Sequence, residues 1–322
     1  MWGAVEDYPR TLVEFEARFA TDEACRAYLC QLRWPEGFRC PRCGAAKAWL
    51  VRTVRYECAA CGSQTSVTAG TIFQDLRTPL TMWFRAMWCV ASQRTGTSAR
   101  ALQQSLGFGS YQTAWTWLHK LRRAMVRPDR DRLAGRVEVD ETYFGGEEAG
   151  LDGRGALKKA LIVVAAEAEG RHRIGRIRLR RVPNASADSL QGFIDDVVEP
   201  GSMVHTDGWL GYDRVRRHGY RHRITFVADH AEQKSAVLPR VHLVVSLLKR
   251  WLLGTHQGAV SPAHLDYDLD EFTFRFNRRR SQHRGKLFYR LVQQAVRVQP
   301  APYRDLVKHV PRRRRARKRH HN

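Results

Sequence analysis

The spacing of apolar residues divides the chain into a helical amino-terminal part and an alternating part that follows it. Between residues 11 and 32, apolar side chains recur at helical spacing, which predicts one or two short amphipathic helices. A second helical pattern runs from Pro79 to about Arg127. From about residue 135 to residue 290, strand-like segments alternate with helical ones, which is typical of an α/β domain.

Five strand-like segments occur in the alternating part. We expect these strands at residues 136–144, 160–166, 174–182, 202–207 and 223–227, with helices at residues 186–198 and 239–253. The second segment is continuously apolar, as in a strand that is buried on both faces. Three strands, helix, strand, helix, strand, helix is the order of a ribonuclease-H-like domain, although order alone is a weak indication of fold.

The second helical pattern contains a helix, a turn with glycine and another helix. Gly107 ends the first helix, residues 108–110 form the turn, and the second helix carries polar and basic residues among its apolar ones, such as Thr113, Lys120 and Arg122. This organisation is typical of a DNA-binding helix-turn-helix. A plain helical hairpin would give the same pattern.

Four of the seven cysteines form two CxxC pairs with 14 residues between them. They are Cys40, Cys43, Cys58 and Cys61. Each pair presents two thiolates at a distance that suits tetrahedral Zn²⁺, and two pairs on a short hairpin close the site. The sequence therefore predicts a zinc ribbon over roughly residues 36–68, with Zn²⁺ in a structural role.

Charge directs attention to a polyanionic partner. The 322 residues include 55 lysines and arginines against 32 acidic residues, which gives a formal net charge of +23. Such an excess favours nucleic acid, although a basic surface without this partner is the alternative. The chain has no run of about 20 apolar residues and no signal-peptide pattern near Met1, so we expect a cytoplasmic protein.

Two aspartates stand out on the predicted strands. Asp140 lies in the first strand and Asp207 at the end of the fourth. These strands are neighbours in a ribonuclease-H-like sheet, so both carboxylates would meet at one edge. Clustered carboxylates bind hard divalent cations such as Mg²⁺, and a metal pair of this kind supports phosphodiester cleavage. Structural salt bridges are the alternative role for either residue.

With these motifs placed, the chain resembles a bacterial insertion-sequence transposase of the DDE superfamily, in the IS1595 (ISXO-like) family that carries an N-terminal zinc ribbon. The resemblance covers about residues 20 to 280. It is carried by the four cysteines and by residues 139–146, 205–209, 246–250 and 269–279. It implies DNA transposition, a homo-oligomer that pairs two DNA ends, and residence near the bacterial nucleoid.

The resemblance also implies a third catalytic residue, often glutamate, on the helix after the fifth strand, with a basic residue seven positions later. Lys249 fits the basic position, and His242 stands seven residues before it. Seven residues span about two helical turns, so the two side chains share a face. Imidazole is a normal ligand for Mn²⁺ and a poorer one for Mg²⁺. An inactive copy, or a structural histidine, is the alternative.

For the other charged residues, the sequence predicts roles outside the metal site. Asp270 and Glu271 are a competing source of the third carboxylate, but we expect them to hold Arg275 or Arg278. Glu141 should point away from Asp140, because neighbouring residues of a strand face opposite sides. Residues 145–159 predict a hairpin or a loop beside DNA, and the basic stretch from residue 308 to residue 321 predicts an extended phosphate-binding or merely solvated tail.

The combined interpretation is an α/β, ribonuclease-H-like transposase. The expected units are residues 1–35 (helices), 36–68 (zinc ribbon), 76–128 (helix-turn-helix), 135–290 (catalytic domain) and 291–322 (basic tail). Asp140, Asp207 and His242 would bind Mg²⁺ or Mn²⁺, and Lys249 would contact the scissile phosphate of DNA. The alternatives are a DNA-binding derivative that has lost catalysis, and a ribonuclease-H-like nuclease for RNA or repair intermediates.

Overall fold

The computed structural model describes residues 6–93, 95–127, 130–145, 159–226, 237–256, 260–261 and 263–307. The loop predicted around Arg154 and the basic tail from residue 308 onward lie outside these described residues. Within them, every helix is too short or too polar to cross a membrane.

Two short helices and a three-stranded antiparallel sheet open the chain. The elements are α1 (Leu12–Arg18), α2 (Asp22–Arg33), β1 (Ala48–Val51), β2 (Arg55–Cys58) and β3 (Gln64–Ser66). The side chains of Thr11 and Thr21 accept hydrogen bonds from backbone N–H groups in the first turns of α1 and α2. The sequence did not predict β3, because three residues are too few to reveal a period.

Three helices follow the ribbon: α3 (Leu80–Ser92), α4 (Ala99–Leu106) and α5 (Tyr111–Ala124). Ser98 and Ser110 cap the N-termini of α4 and α5 through their hydroxyl groups. Gly107 ends α4 with φ at +67°, a conformation that glycine adopts without strain. The predicted helix, glycine turn and helix are therefore present.

A mixed five-stranded sheet forms the centre of the second half. Its elements are β4 (Arg136–Phe144), β5 (Ala160–Glu169), β6 (Arg173–Val182), α6 (Ala187–Val197), β7 (Met203–Thr206), β8 (Arg221–Ile224) and α7 (Pro239–His256). The strand order is β6-β5-β4-β7-β8. Strands β4, β5 and β6 are antiparallel in succession, whereas β7 is parallel to both β4 and β8.

Two details of this sheet differ from the prediction. Short 3₁₀ turns, Leu210–Tyr212 and Val215–His218, replace the helix expected between the fourth and fifth strands. Strand β8 begins at Arg221, two residues before the predicted start. It lies at the edge of the sheet and is largely exposed, so its polar side chains gave no apolar pattern to read.

Helices cover both faces of the sheet. On one face Val137, Val139 and Val204 pack with Phe193 of α6 in a single buried cluster. On the other face a separate cluster contains residues of β5, β6 and α7, together with residues of α8 (Leu265–Phe276). Helices therefore form the two outer layers of a three-layer α/β arrangement.

The last helices return the chain to its beginning. They are α9 (Arg284–Ala295) and α10 (Tyr303–Val307), and the sequence analysis predicted neither. Phe288 of α9 is fully buried and packs against Phe84 and Trp88 of α3. Residue 291, the expected start of the tail, lies inside α9, so the packed structure extends beyond that boundary.

The residues after α8 cover the free edge of β6. The Asn277 Oδ1 accepts a hydrogen bond from the Ile177 N–H at 2.7 Å, and its Nδ2 donates to the Ile177 carbonyl at 3.2 Å. Arg279 donates to the carbonyl of Gly175 at 3.2 Å and to that of Ile174. An edge strand paired in this way is protected from pairing with another chain. Asn277 and Arg279, two residues of the 269–279 motif, therefore stabilise the edge of the sheet.

Candidate active site

The parallel pairing of β4 with β7 places Asp140 and Asp207 beside each other, at the carboxyl-terminal end of β7. The two strands are parallel, and Glu138 lies opposite His205. Two residues further along, Asp140 is level with Asp207, which directly follows the last residue of β7. The neighbouring strands that the sequence analysis expected are thus adjacent.

Alternation along β4 separates the acidic side chains. Val137 and Val139 face α6, and Glu141 lies on that same side, because its Oε2 accepts a hydrogen bond from the hydroxyl of Tyr212 at 2.8 Å. Asp140 occupies the opposite side together with Glu138, as the sequence predicted. Glu141 is therefore not placed beside Asp140 as a shared ligand.

Glu138 fixes the start of α7 against β4. Its carboxylate is buried, lies 2.6 Å from the Arg240 Nη1, and accepts hydrogen bonds from the backbone N–H groups of Arg240 and Val241 at 2.8 and 3.2 Å. A carboxylate at a helix N-terminus satisfies unpaired donors and complements the helix dipole. This contact holds the first turn of α7 next to the strand that carries Asp140.

His242 follows in that first turn and is half-buried. Burial lowers the pKa of His242 below its ordinary value, and the negative charges of Glu138 and Asp207 partly oppose this effect. The imidazole is therefore neutral at neutral pH, the form that binds a metal. Lys249, two turns further along α7, is exposed.

The three expected metal ligands, Asp140, Asp207 and His242, lie in the same region, but their ligand atoms are farther apart than those of a formed metal site. Among the described residues, only the four cysteines form a group of potential ligand atoms that all lie within 4.8 Å of one another. The Asp140 Oδ1 accepts a hydrogen bond from the Glu141 N–H at 2.9 Å, and the Asp207 Oδ1 accepts one from the Trp209 N–H at 3.1 Å. As a set, the potential ligand atoms of Asp140, Asp207 and His242 therefore do not all lie within 4.8 Å of one another.

Tyr212 is a residue of this region that the sequence analysis missed. Its side chain is buried, and its pKa is raised well above the ordinary value by burial and then by the carboxylates of Glu141, Asp140 and Asp207. Its hydrogen bond to Glu141 joins the loop after β7 to β4. The sequence feature that could have indicated Tyr212 is its position five residues after Asp207, in the segment that begins with Gly208.

Phe226 packs directly on the backbone beside Asp207. A Cβ atom built on Gly208 would lie 2.2 Å from the Cδ1 of Phe226, so only glycine leaves room for the ring. The backbone N–H of Thr225 donates to the Thr206 carbonyl at 3.1 Å, which continues the pairing beyond β8. The residues that follow β8 therefore pack against the loop that carries Asp207.

The four cysteines form the second chemical centre. The Sγ atoms of Cys40 and Cys61 are 3.8 Å apart, and those of Cys43 and Cys58 are 3.5 Å apart. Tetrahedral Zn²⁺ with Zn–S bonds of about 2.3 Å requires sulfur separations of about 3.8 Å, so the donor set and spacing fit zinc. The backbone N–H of Cys43 lowers the pKa of the Cys40 thiol to about 6, which favours the thiolate.

Each cysteine pair is held in a tight turn. Gly44 and Gly62 donate backbone hydrogen bonds to the carbonyls of Cys40 and Cys58 at 2.9 and 3.0 Å. Both glycines have positive φ, +78° and +64°, which explains why glycine follows each pair. The turns lie next to β1 and β2, so the metal site closes the small sheet.

We expect the Cys61→Ser variant to lose most of its zinc and the ordered ribbon with it, because three thiolates and an alcohol bind zinc far more weakly. The measurement is zinc content per chain, about one in the wild type, together with the melting temperature. Cys89→Ser is the matched control, since Cys89 is half-buried in α3 and lies outside the cluster. Equal zinc content in both variants would contradict the assignment.

The helix-turn-helix region exposes less of its second helix than the sequence suggested. Arg122, expected among its outer residues, is 3% exposed, and Trp117 stacks on Trp83 of α3 with ring centroids 3.8 Å apart. Tyr111 and Gln112 at the start of α5 are exposed. The most exposed side chains of α5 are therefore those at its N-terminal end.

Glu271 has the structural role that the sequence predicted. It is fully buried and lies 2.8 Å from the Arg275 Nε and 2.8 Å from the Arg122 Nε. Arg275 is thus the expected partner, whereas Arg122 comes from α5 and was not foreseen. This buried pair places Glu271 among arginines and not beside Asp207.

Comparisons with known proteins agree with both centres. Residues 132–277 match the ISXO2-like transposase domain, and residues 20–64 match the transposase zinc-ribbon domain. An uncharacterized protein in transposable element ISH50 of Halobacterium salinarum is 32% identical over 140 residues, which are 42% of this chain and 45% of that protein. The match thus spans less than half of the relative's length.

The cysteine cluster lies within the residues that match the transposase zinc-ribbon domain, and the aspartate-bearing sheet lies within those that match the ISXO2-like transposase domain. Residues 20–64 and 132–277 thus match the two domains of IS1595-type transposases, a zinc ribbon followed by a DDE transposase domain. The resemblance inferred from the sequence is therefore confirmed.

Proposed function

We propose that the protein binds the terminal inverted repeats of an insertion sequence, nicks the ends by metal-dependent hydrolysis and joins the 3′-hydroxyl groups to target DNA. The observation that carries this proposal is the parallel pairing of β4 with β7, which puts Asp140 and Asp207 at one edge. Helix α7 adds His242 from the same side.

A ribonuclease-H-like fold for the catalytic domain is part of this proposal. The strand order β6-β5-β4-β7-β8, with three antiparallel strands followed by two parallel ones, supports it. We propose that residues 135–290 make up the catalytic domain; α9 crosses the end of this range and packs on the amino-terminal core.

In the proposed site, Asp140, Asp207 and His242 would hold divalent cations, Mg²⁺ or Mn²⁺. When bound, such cations activate the attacking oxygen and stabilise the leaving oxygen in phosphodiester cleavage. The carboxylates supply the hard oxygen ligands, and the neutral imidazole supplies a nitrogen. Lys249 on the exposed side of α7 would orient the scissile phosphate and balance its charge.

DNA recognition would belong to the amino-terminal half. We propose that the zinc ribbon (36–68) and the helix-turn-helix region (76–128) bind the ends, and that two chains pair two ends in a homo-oligomer. The exposed Trp49 and Leu50 of β1, with Arg52 and Arg55 nearby, support a contact surface on the ribbon. Cytoplasmic residence near the nucleoid follows from the same role.

The decisive experiment measures nicking and strand transfer on DNA that carries the element's own ends, with Mg²⁺ and with Mn²⁺. We expect joined products that require metal and the inverted repeats, and little reaction with random duplex. End binding without cutting in either metal would favour the alternative, an inactive or domesticated DNA-binding derivative. The observation behind that alternative is the histidine at a position usually held by a carboxylate.

The metal preference should depend on His242. We expect His242→Glu to raise the ratio of Mg²⁺-supported to Mn²⁺-supported cleavage at least tenfold, because a carboxylate suits Mg²⁺ better than imidazole does. His242→Ala should lower cleavage about 100-fold with either metal. Ser246→Ala, exposed one turn further along α7, is the control. An unchanged ratio in His242→Glu would remove His242 from the site.

A further inference from the structure

A strongly basic cleft lies beside the edge strand β6, with β5 between this strand and β4, which carries Asp140. It measures about 430 Å³, and we call it the arginine cleft; its lining includes Tyr8, Arg278, Arg280, His283, Lys286 and Arg290. A second cleft of about 450 Å³ adjoins it and shares Arg278, Arg280 and Ser281. The arginine cleft lies beyond the edge strand β6, and β5 and β4 separate it from β7 and Asp207.

Arg278 is a partly buried cation that forms no ion pair with an acidic side chain among the described residues. Its Nη1 donates to the Phe274 carbonyl at 3.1 Å, and its guanidinium lies 4.0 Å from the centroid of the Phe274 ring. Burial, followed by the positive charges of Arg290 and Arg127, lowers the pKa of Arg278 to about 10. A partly buried cation whose nearest charged neighbours include other arginines is costly, and an anion in the cleft would relieve that cost.

The cleft already accepts one carboxylate. Glu6 lies 2.6 Å from the Lys286 Nζ and also pairs with Arg290. The hydrogen bond from Lys286, together with the charges of both cations, holds the pKa of Glu6 below its usual value although burial opposes this. An anion-binding position is thus formed by Lys286 and Arg290, and a side chain of the same chain fills it.

The segment that carries Glu6 is anchored by other contacts. The Tyr28 hydroxyl donates to the Asp7 carbonyl at 2.8 Å, and Arg18 pairs with the Asp7 carboxylate. The Pro9 carbonyl lies against Gly285, where a Cβ atom would be only 1.6 Å away. Removing the charge of Glu6 should therefore leave the segment in place and free the two cations.

We propose that the arginine cleft binds backbone phosphates of duplex DNA, and that Glu6 competes with them and weakens this binding. The proposal rests on the action of the protein on DNA, but it requires neither the aspartate edge nor cleavage. Duplex DNA is favoured over a small phosphate, because cations outnumber carboxylates along the two adjoining clefts, where Glu167 and Glu169 pair with Arg176 and Arg280, and the chain carries a net charge of +23.

The test is the binding of the full chain to a random-sequence duplex, without divalent metal, over a range of salt concentrations. We expect Glu6→Gln to bind at least threefold more tightly than wild type at low salt. Glu16→Gln is the matched control, because it removes the same charge from an exposed position on α1. A structural ion pair predicts the opposite result, namely unchanged or weaker binding by Glu6→Gln.

A second pair of variants tests the cations directly. Lys286→Ala should reduce the slope of log K against log salt by about 0.9, the value for one lost phosphate contact. Arg304→Ala, which removes a charge from an exposed position in α10, should change the slope less. Melting temperatures show whether each variant is folded. Equal slopes for Lys286→Ala and wild type would overturn the proposal.

The remaining arm separates DNA from a small phosphate. At constant ionic strength, replacing chloride with inorganic phosphate should not displace the duplex from wild type. Displacement that is lost in Lys286→Ala would identify a free-phosphate site and overturn the proposed ligand. Because the assay contains no divalent metal, a failure of strand cleavage and a failure of this proposal are observed separately.

Discussion

Replacing Asp207 with asparagine is expected to lower strand cleavage about a thousandfold or more while DNA binding is retained. The change removes one negative charge at the edge where β4 and β7 bring Asp207 level with Asp140. A thousandfold loss corresponds to about 4 kcal/mol of transition-state stabilisation, a magnitude that fits the loss of a metal ligand. The shape of the side chain is preserved, so the packing of the loop should survive.

The measurement is the rate of end nicking with saturating metal, alongside a binding isotherm on the same DNA. Asp213→Asn is the matched control, because Asp213 is an exposed aspartate of the same loop, between the two 3₁₀ turns. We expect the control to retain the wild-type rate within about twofold. Comparable rates for the two variants would show that Asp207 does not act in catalysis.

The proposed site could be read from the sequence because it depends on local patterns. Asp140 lies within one strand-like segment and Asp207 ends another, and the order of strands brings the two segments together in this architecture. His242 was proposed from the resemblance, which implies a third ligand seven residues before a basic residue such as Lys249. The cysteines required even less, since two CxxC pairs specify their own geometry.

Contacts between distant parts of the chain could not be read in this way. Glu138 looked like any polar residue of a strand, and only the folded structure shows that it holds the start of α7 through Arg240. The pairing of Tyr212 with Glu141 likewise joins residues 71 positions apart. Helix α9 was missed because its apolar face packs on α3, nearly 200 residues earlier in the chain.

Arg122 is the clearest case, since its basic side chain suggested a DNA contact and the structure buries it. It lies 2.9 Å from Asp268 and 2.8 Å from Glu271, and all three side chains are almost fully buried. Glu271 also binds Arg275, which donates to backbone carbonyls at the end of α3. The charged network therefore connects α3 and α5 with α8.

We expect Arg122→Met to lower the free energy of unfolding by about 3–5 kcal/mol, because Asp268 and Glu271 lose a buried cation. The measurement is denaturant unfolding at pH 8. The matched control is Arg127→Met, since Arg127 forms an exposed ion pair with Asp131 and should cost less than about 1 kcal/mol. Equal losses in the two variants would contradict a stabilising role for the buried network.

The pH dependence of that loss distinguishes the charge from the packing. Burial raises the pKa of Asp268 to about 6, and the charge of Arg122 limits the rise. Without Arg122, the folded-state pKa of Asp268 should rise further above its unfolded value. The pKa of Glu271 should rise as well, because burial favours its neutral form and Arg122 is one of the two arginines that hold this pKa below its usual value. A carboxyl group with a raised folded pKa favours the fold at low pH and loses that contribution as pH rises through the folded pKa. The deficit of Arg122→Met should therefore be smaller at pH 5 than at pH 8, whereas a pure packing defect would cost the same at both.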